Sequence, residues 1–235
     1  MIDDYSKLKD ELKSLYPEDY ETKDYDSLFT GASGGIESAE KLIREKKGGN
    51  LLQRLKGCSP GNSDWKTFED VCLDLVKLTF ENNEFFEAEA MPQLPNKYVP
   101  LDEKGTRKDI TIPLVTKKRM DLDKAIIWDE FRSEPYDCKY LIFDAKNYNG
   151  PIKDKEIYQM FHYLNPKKGR IGIIFSRKSS VDESGKAALR RIKDDNYIIF
   201  VLTDDDVIKW IDCYTRDGSV RTYFRTLLTI YDSSF

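Results

Sequence analysis

Tyr140-Leu141-Ile142-Phe143-Asp144-Ala145-Lys146 is a short apolar run whose last three residues include an acid and a lysine. Such a run is typical of a strand that is buried on both faces of a sheet. The sequence after it predicts helices over 154–164 and 181–193 and buried strands over 171–175 and 197–202. Thr203 then caps a further helix that begins with three acidic residues. This alternation from 140 to 214 predicts an α/β fold with a partly parallel sheet.

Upstream of this stretch the chain is mostly helical, with a clear break in the middle. Helical patterns cover residues 5–15, 36–47 and 51–56, and the Gly-rich segment 30–35 is predicted to be a linker. The break spans residues 57–62, and Ser63 or Asp64 can cap the helix after it. One face of that helix carries Trp65, Phe68, Cys72, Leu75 and Thr79. We therefore divide the chain into an acidic, mostly helical region over 1–62 and a second domain over 63–235.

The composition predicts a soluble protein with a sizeable core. The 235 residues are 40% hydrophobic and 12% aromatic, which is too apolar for a disordered chain. No run approaches the roughly 18 consecutive apolar residues of a membrane span. The acidic start, Met1 to Asp4, lacks the apolar segment of a secretory signal. We therefore expect a cytoplasmic protein.

Cysteine and histidine usage narrows the metal chemistry. The four cysteines stand at 58, 72, 138 and 213 with no C-x-x-C pair, and His162 is the single histidine. This usage argues against zinc and other soft-metal sites and against a disulfide framework. A hydrolase triad would depend wholly on His162, and no G-x-S-x-G motif accompanies it. The chemistry that this composition favours is therefore that of carboxylates and lysines acting with a hard cation such as Mg²⁺.

The charge is unevenly distributed along the chain, which has a net charge of −4. Residues 1–30 hold nine acids against four lysines, whereas residues 165–193 hold nine Lys or Arg and two acids. The second segment, here called the basic window, is compatible with a polyanionic partner such as nucleic acid. It is equally compatible with a solvated helix surface. The tyrosines and tryptophans are expected in the core more often than as platforms for base stacking.

An acid and a lysine two positions apart at the end of a strand can support phosphoryl chemistry. Asp144 and Lys146 would share a face, because side chains alternate along a strand. With an acid from an earlier strand, such as the one predicted at 107–112, Asp144 can bind Mg²⁺, which polarises a phosphoryl oxygen. The Lys146 ammonium can stabilise the charge that develops on phosphate. Alone, the triplet is also compatible with a strand-end acid beside a solvated lysine.

The surrounding motifs resemble those of the PD-(D/E)XK, or restriction-endonuclease-like, nuclease superfamily. In chain order they are Trp65 to Asp70, Arg107 to Ile110, Leu141 to Tyr148, Ile157 to Leu164 and Gly169 to Arg177. The resemblance covers about residues 63–215 and lies in the joint order of the motifs. It implies a three-layer α/β/α core with a mixed sheet, preceded here by the small helical N-terminal region.

The resemblance also implies roles for individual residues. Asp109 and Asp144 would bind Mg²⁺, for which Mn²⁺ can substitute, and Lys146 would be the catalytic lysine. Glu69 matches an acid that completes the metal shell, and Gln159 matches a helix glutamine that orients substrate or water. The gap of 35 positions between Asp109 and Asp144 is long and leaves Asp121 as a rival to Asp109.

We therefore predict a magnesium-dependent DNA endonuclease of restriction type that acts by in-line attack of water on a phosphodiester. The resemblance suggests a role in defence against foreign DNA. Lys167, Lys168, Arg170 and Arg177 are the predicted phosphate contacts. One alternative is a nucleic-acid-binding or sensing module that keeps the fold without cutting. Another is a subunit whose residues 1–56 dock a partner. A homodimer is a further expectation, because cutting both strands of a duplex often needs two active sites.

Overall fold

The computed structural model describes residues 2–20, 25, 34–80, 91–92, 110–113, 130–166, 169–178 and 181–234. The N-terminal part is helical and comprises α1 (Ile2–Leu15), α2 (Pro17–Tyr20), α3 (Gly34–Gly57) and α4 (Trp65–Phe80). The rest follows in the order β1 (Met91–Pro92), β2 (Ile110–Pro113), β3 (Tyr140–Ala145), α5 (Asp154–Tyr163), β4 (Ile171–Phe175), α6 (Glu183–Asp194), β5 (Ile198–Leu202), α7 (Asp204–Asp217) and α8 (Arg221–Ser234). The predicted α/β class is confirmed.

The strands form one mixed sheet in the order β1-β2-β3-β4-β5. The pairs β1–β2 and β2–β3 are antiparallel, whereas β3–β4 and β4–β5 are parallel. The apolar run that begins at Tyr140 is thus the central strand. In the strand predicted at 107–112, Ile110, Thr111 and Ile112 are in β2, and residues 107–109 lie outside the described residues.

Helices pack on both faces of the sheet, because successive side chains of a strand point to opposite faces. Leu141 and Phe143 of β3 point into a core with α4, α7 and α8, which is centred on Trp210. The Trp210 indole donates a hydrogen bond to Thr79 Oγ1 at 3.0 Å. Ile142 points to the other face, where Ile157 and Met160 of α5 and residues of α6 cover the sheet.

Helix α3 is continuous where the sequence predicted two helices separated at residues 48–50, so that prediction is wrong. Gly48 and Gly49 lie between the two predicted helices, and glycine inside a helix is unfavourable by roughly 1 kcal/mol relative to alanine. The structure shows what outweighs this penalty. Gly48 lies against α7 so closely that a Cβ there would be 2.4 Å from Thr215 Cγ2. Leu51 and Leu55, on the following turns, are buried in the main core.

The break between α3 and α4 is present, and it is a packed turn. Asp64 is the residue before α4, at one of the two predicted cap positions, and its backbone carbonyl accepts from Phe68 N at 3.0 Å. Its carboxylate accepts from Ser59 N, within the turn, at 2.8 Å. Leu51 and Leu55 before the turn share a core cluster with the α/β part of the chain. The division at residue 62 remains a prediction. None of the helices in the described ranges combines the length and the apolar character needed to cross a membrane.

Candidate active site at the end of the central strand

Asp144 and Lys146 form a buried ion pair at the C-terminal end of β3. Lys146 Nζ lies 2.6 Å from Asp144 Oδ2, and the two residues are 5% and 8% exposed. The backbone N–H of Lys146 donates to Phe175 O at 2.8 Å, so the chain continues alongside β4 for one residue beyond the strand. The two side chains therefore lie on the same face, as their spacing predicts.

Gln159 joins this pair from helix α5. Its Oε1 accepts a hydrogen bond from Lys146 Nζ at 3.3 Å. The helix approaches the sheet closely because Gly172 on β4 leaves room for Met160, whose Sδ would lie 2.6 Å from a Cβ at position 172. The structure thus brings together three residues that the sequence predicted from separate motifs.

Tyr163 is a fourth member of the cluster, and the sequence analysis missed it. The Gln159 Nε2 amide donates to the Tyr163 hydroxyl at 3.2 Å. A signal was present, because residues four positions apart lie on the same face of a helix. Tyr163 therefore fixes which way the Gln159 amide points, with its oxygen toward Lys146.

A buried Lys–Asp pair contributes little net stability to a folded protein. Removing two charges from water costs several kcal/mol per ion, and their attraction repays this only with good geometry and further hydrogen bonds. Here the ammonium has both the Asp144 carboxylate and the Gln159 oxygen as acceptors. Proteins keep arrangements that cost stability mainly at functional sites. We therefore treat the Asp144–Lys146–Gln159 cluster as the candidate active site.

Asn147, the next residue after Lys146, ties the site to the turn between α3 and α4. Its side-chain amide donates to Ser59 O at 3.0 Å and to Gly61 O at 2.7 Å. The backbone carbonyl oxygen of Asn147 accepts from the Gly61 N–H at 2.8 Å. Gly61 has φ of +111°, a backbone conformation that favours glycine. We call residues 58–64 together with Asn147 the site clamp.

Arg177 is the second anchor of the site clamp, and it does not fit the predicted phosphate contact. It is 3% exposed, and its guanidinium donates to Cys58 O at 2.8 Å and to Asn147 Oδ1 at 3.1 Å. Its Nε lies 3.1 Å from an Asp204 carboxylate oxygen, and its Cζ lies 4.7 Å from the centre of the Phe68 ring. Burial raises the pKa of the Asp204 carboxyl, and the Arg177 charge opposes that rise. Arg177 is thus an internal structural residue.

The other predicted phosphate contacts have different surroundings. Arg170 is half-buried, with its guanidinium 5.3 Å from the centre of the Tyr197 ring, and Lys167 and Lys168 lie outside the described residues. Further along the basic window, Arg190 and Arg191 of α6 are exposed. Some charge is neutralised internally, since Lys186 pairs with Glu183 at 2.7 Å. The basic window is therefore not one uniform patch.

The predicted metal ligands are described only in part. Glu69 is half-exposed on α4, next to Phe68, while Asp109 and Asp121 lie outside the described residues. Within the ranges that the structure describes, no three His, Cys, Asp or Glu side chains are close enough to hold a metal ion together. Asp144 supplies a hard carboxylate donor of the kind that Mg²⁺ prefers. The full ligand set, Asp109 with Asp144 and Glu69, remains a prediction.

The environments of two buried cysteines, Cys72 and Cys138, disfavour thiol chemistry. All four cysteines are free and buried. Burial raises the pKa of the Cys72 thiol well above its usual range and that of Cys138 to about 12. Both thiols are therefore protonated, and so weakly nucleophilic, at neutral pH. His162 is exposed on α5. Among the described residues, the cluster of Asp144, Lys146 and Gln159 is the arrangement that we take as the candidate for chemistry.

The chain matches no protein-family model, and neither the curated proteins nor the solved structures contain a match to it.

Proposed function

We propose that this chain is a metal-dependent nuclease of the restriction-endonuclease-like type that hydrolyses phosphodiester bonds in DNA. The observation that carries the proposal is the buried contact of Lys146 with both Asp144 and Gln159. A lysine held in this way is desolvated and fixed beside a carboxylate, which suits a group that acts on a charged phosphate.

The position of the cluster in the sheet supports this assignment. The D-x-K triplet lies at the end of the central strand of a mixed sheet that has helices on both faces. Parallel strands β3 and β4 end side by side, and helix α5 between them brings Gln159 over the end of β3. Ligand sites of α/β sheets are commonly found outside the carboxyl ends of the strands.

The register of β2 and β3 supports Asp109 as the second acid. Ile110 pairs with Phe143, the residue before Asp144, in an antiparallel register. Asp109 is bonded to Ile110, and consecutive Cα atoms are about 3.8 Å apart. The first residue of β2 therefore lies beside the end of β3 that carries Asp144. On this ground we expect Asp109, and not Asp121, to act with Asp144.

In the proposed reaction, different residues would bind the metal, stabilise charge and orient the lysine. Asp144, with Asp109 and Glu69, would hold Mg²⁺, which supplies Lewis-acid polarisation of the phosphoryl oxygen and a water of lowered pKa when bound. The Lys146 ammonium offers a positive charge to the non-bridging oxygens, where negative charge grows in the transition state. The Gln159 oxygen orients that ammonium, and Tyr163 orients the Gln159 amide.

The test is cleavage of plasmid DNA with Mg²⁺, with Mn²⁺ and with a chelator. We expect metal-dependent nicking or cutting by the wild type and none by Lys146→Ala. The matched control is Lys209→Ala, which removes an exposed lysine from α7 and should keep full activity. Equal cleavage by wild type and Lys146→Ala would overturn the assignment. Binding of DNA without any metal-dependent cleavage would favour the alternative of a non-cutting binding or sensing module.

A further inference from the structure

Two exposed aromatic side chains directly follow the site clamp in sequence, Trp65 after residue 64 and Tyr148 after Asn147. Among the described residues, the large hydrophobic side chains most open to solvent are Trp65 at 50%, Tyr148 at 39% and Ile230 at 55%. Tyr148 is two residues beyond Lys146, and its N–H donates to the Lys146 carbonyl at 2.9 Å. Trp65 is the first residue of α4, directly after the turn that belongs to the site clamp.

The site clamp joins the two segments that carry these rings. Asn147, directly before Tyr148, holds Ser59 and Gly61 of the turn by three hydrogen bonds. The packing is close, since a Cβ at position 61 would lie 3.1 Å from Asn149 Nδ2. Both rings are therefore presented from a fixed framework rather than from independent loops. A fixed framework lowers the entropy cost of binding.

The exposure of Trp65 runs against the apolar pattern of its own helix. Phe68, Cys72 and Leu75, on the face that the sequence assigned to all of them, are buried. Trp65 lies at the end of that face and keeps half of its surface in water. Two exposed lysines adjoin this region in sequence. Lys66 follows Trp65, and Lys178 follows Arg177, which bonds to the site clamp. Exposed rings with cations nearby are the combination that binds single-stranded nucleic acid.

We propose that Trp65 and Tyr148 are stacking platforms for unpaired nucleobases of single-stranded DNA at the entrance to the active site. The inference rests on the proposed function and adds that the strand at this site is held with its bases unpaired, so that a plasmid would be cut where its duplex opens. An unpaired base offers an open ring face, whereas a base within a duplex is already stacked on its neighbours. The rings would hold the bases while the adjoining phosphate reaches Lys146.

The test measures binding of fluorescently labelled oligothymidylate, and of a duplex of equal length, by anisotropy in the presence of a chelator. Trp65→Ala and Tyr148→Ala should each weaken oligothymidylate binding by roughly 5- to 100-fold. Trp65→Phe should restore most of the affinity, because a ring is kept. Ile230→Ala is the matched control, since it removes an equally exposed apolar side chain from α8, and it should bind as the wild type does.

The outcomes separate this inference from the proposed function. Aromatic-dependent binding by a chain that never cuts DNA would support the stacking surface and overturn the nuclease. Cleavage that persists while both alanine variants bind oligothymidylate normally would overturn the stacking surface alone. Duplex binding that is as strong as oligothymidylate binding and equally sensitive to Trp65→Ala would overturn the assignment to unpaired bases. Failure to bind either DNA would overturn it as well.

Discussion

Arg177 donates a hydrogen bond to Asn147 across 3.1 Å, and this contact joins the ends of two parallel strands to the turn before α4. Asn147 continues from β3 and Arg177 from β4, and both bond to carbonyls of residues 58–61. The backbone adds to the connection, because Asp204 N, at the start of α7, donates to Arg177 O at 3.0 Å. The residue before Asn147 is Lys146, so the position of the candidate catalytic lysine depends on this network.

Replacing Asn147 by alanine should destabilise the protein. The change leaves one buried Arg177 N–H and the partly buried carbonyls of Ser59 and Gly61 without their partner. A buried donor without a partner costs about 1–3 kcal/mol. We expect a clear fall in melting temperature, measured by circular dichroism. Asn149→Ala is the control, because Asn149 is exposed two residues further on, and its melting temperature should stay close to that of the wild type. Equal melting temperatures for both variants would contradict the network.

Replacing Arg177 by methionine should affect stability and not phosphate binding. The variant leaves the half-buried Asp204 carboxylate without its cation, which costs on the order of 3 kcal/mol. Chemical denaturation measures this loss. The salt dependence of DNA binding, measured at a temperature where the variant is folded, should keep its slope. The reason is that the Arg177 guanidinium is already bound to Cys58 O, Asn147 Oδ1 and the Asp204 carboxylate.

The predicted phosphate contacts at the start of the basic window should behave differently from Arg177 in the same salt-dependence experiment. Reversing the charges of Lys167, Lys168 and Arg170 together should weaken binding to all DNA sequences and flatten the salt slope. If Arg177→Met flattens the slope while the triple reversal does not, the division between an internal and an external role is wrong.

The fold follows from the sequence where the periodicity is strong. The apolar runs at β3, β4 and β5 and the capping signal at Thr203 are all local, and the structure places three strands and a helix start at these positions. Asp144 and Lys146 were found because a spacing of two puts side chains on one face of a strand. Gln159 required the order of motifs as well, since nothing local says that α5 lies over the end of β3.

The failures all concern tertiary context. The sequence predicts separate helices on either side of Gly48 and Gly49, because intrinsic propensity cannot include the packing of α3 on α7. Arg177 was grouped with its basic neighbours, although the structure buries it against Phe68 and Asp204. Trp65 shares the apolar spacing of its helix and is nevertheless half exposed. Gly48 and Arg177 are held by residues that are distant in sequence, and periodicity carries no information about such contacts.

The two glycines of α3 should respond in opposite ways to alanine. Gly49 has open space where a Cβ would be added, so Gly49→Ala should raise stability by about 0.5–1 kcal/mol through helix propensity. Gly48→Ala places a methyl group 2.4 Å from Thr215 Cγ2 and 3.1 Å from Ile211 Cγ2. Overpacking of this kind costs typically about 1–3 kcal/mol, so the net effect should be destabilising. Urea denaturation of both variants checks the sign, and a stabilising Gly48→Ala would contradict the close packing of α3 on α7.

The capping carboxylate of α6 should make stability depend on pH. Asp182 accepts a hydrogen bond from Gly185 N at 2.9 Å, and this bond is the main cause of the lowered pKa of the Asp182 carboxyl. In the unfolded chain that pKa is about 3.9. Because the folded-state pKa is lower, the charged carboxylate contributes stability above the unfolded pKa, and the contribution is lost as the pH falls through the folded pKa.

Asp182→Asn tests this dependence, because asparagine also caps helices but carries no charge. We expect the variant to melt below the wild type near neutral pH and the difference to shrink as the solution is acidified. Asp195→Asn is the control, since it removes an exposed acid from the other end of α6, where a negative charge is unfavourable to the helix dipole. It should not lower the melting temperature at neutral pH. A gap between Asp182→Asn and wild type that is constant with pH would contradict the charged cap.

The sharpest test of the proposed active site compares Asp109 with Asp121. Asp109 adjoins Ile110, which pairs with the residue before Asp144, whereas Asp121 is eight positions beyond Pro113, the last residue of β2. A metal ligand must be held to within about 0.5 Å, and strands do this better than loops. Asparagine keeps the shape of either side chain and removes the charge that binds the cation. We expect Asp109→Asn to abolish plasmid cleavage and to weaken Mg²⁺ binding, measured by calorimetry, while Asp121→Asn keeps most of the activity. The opposite pattern would move the second ligand to Asp121 and leave the nuclease proposal intact. Activity that survives both changes would remove the two-carboxylate site itself.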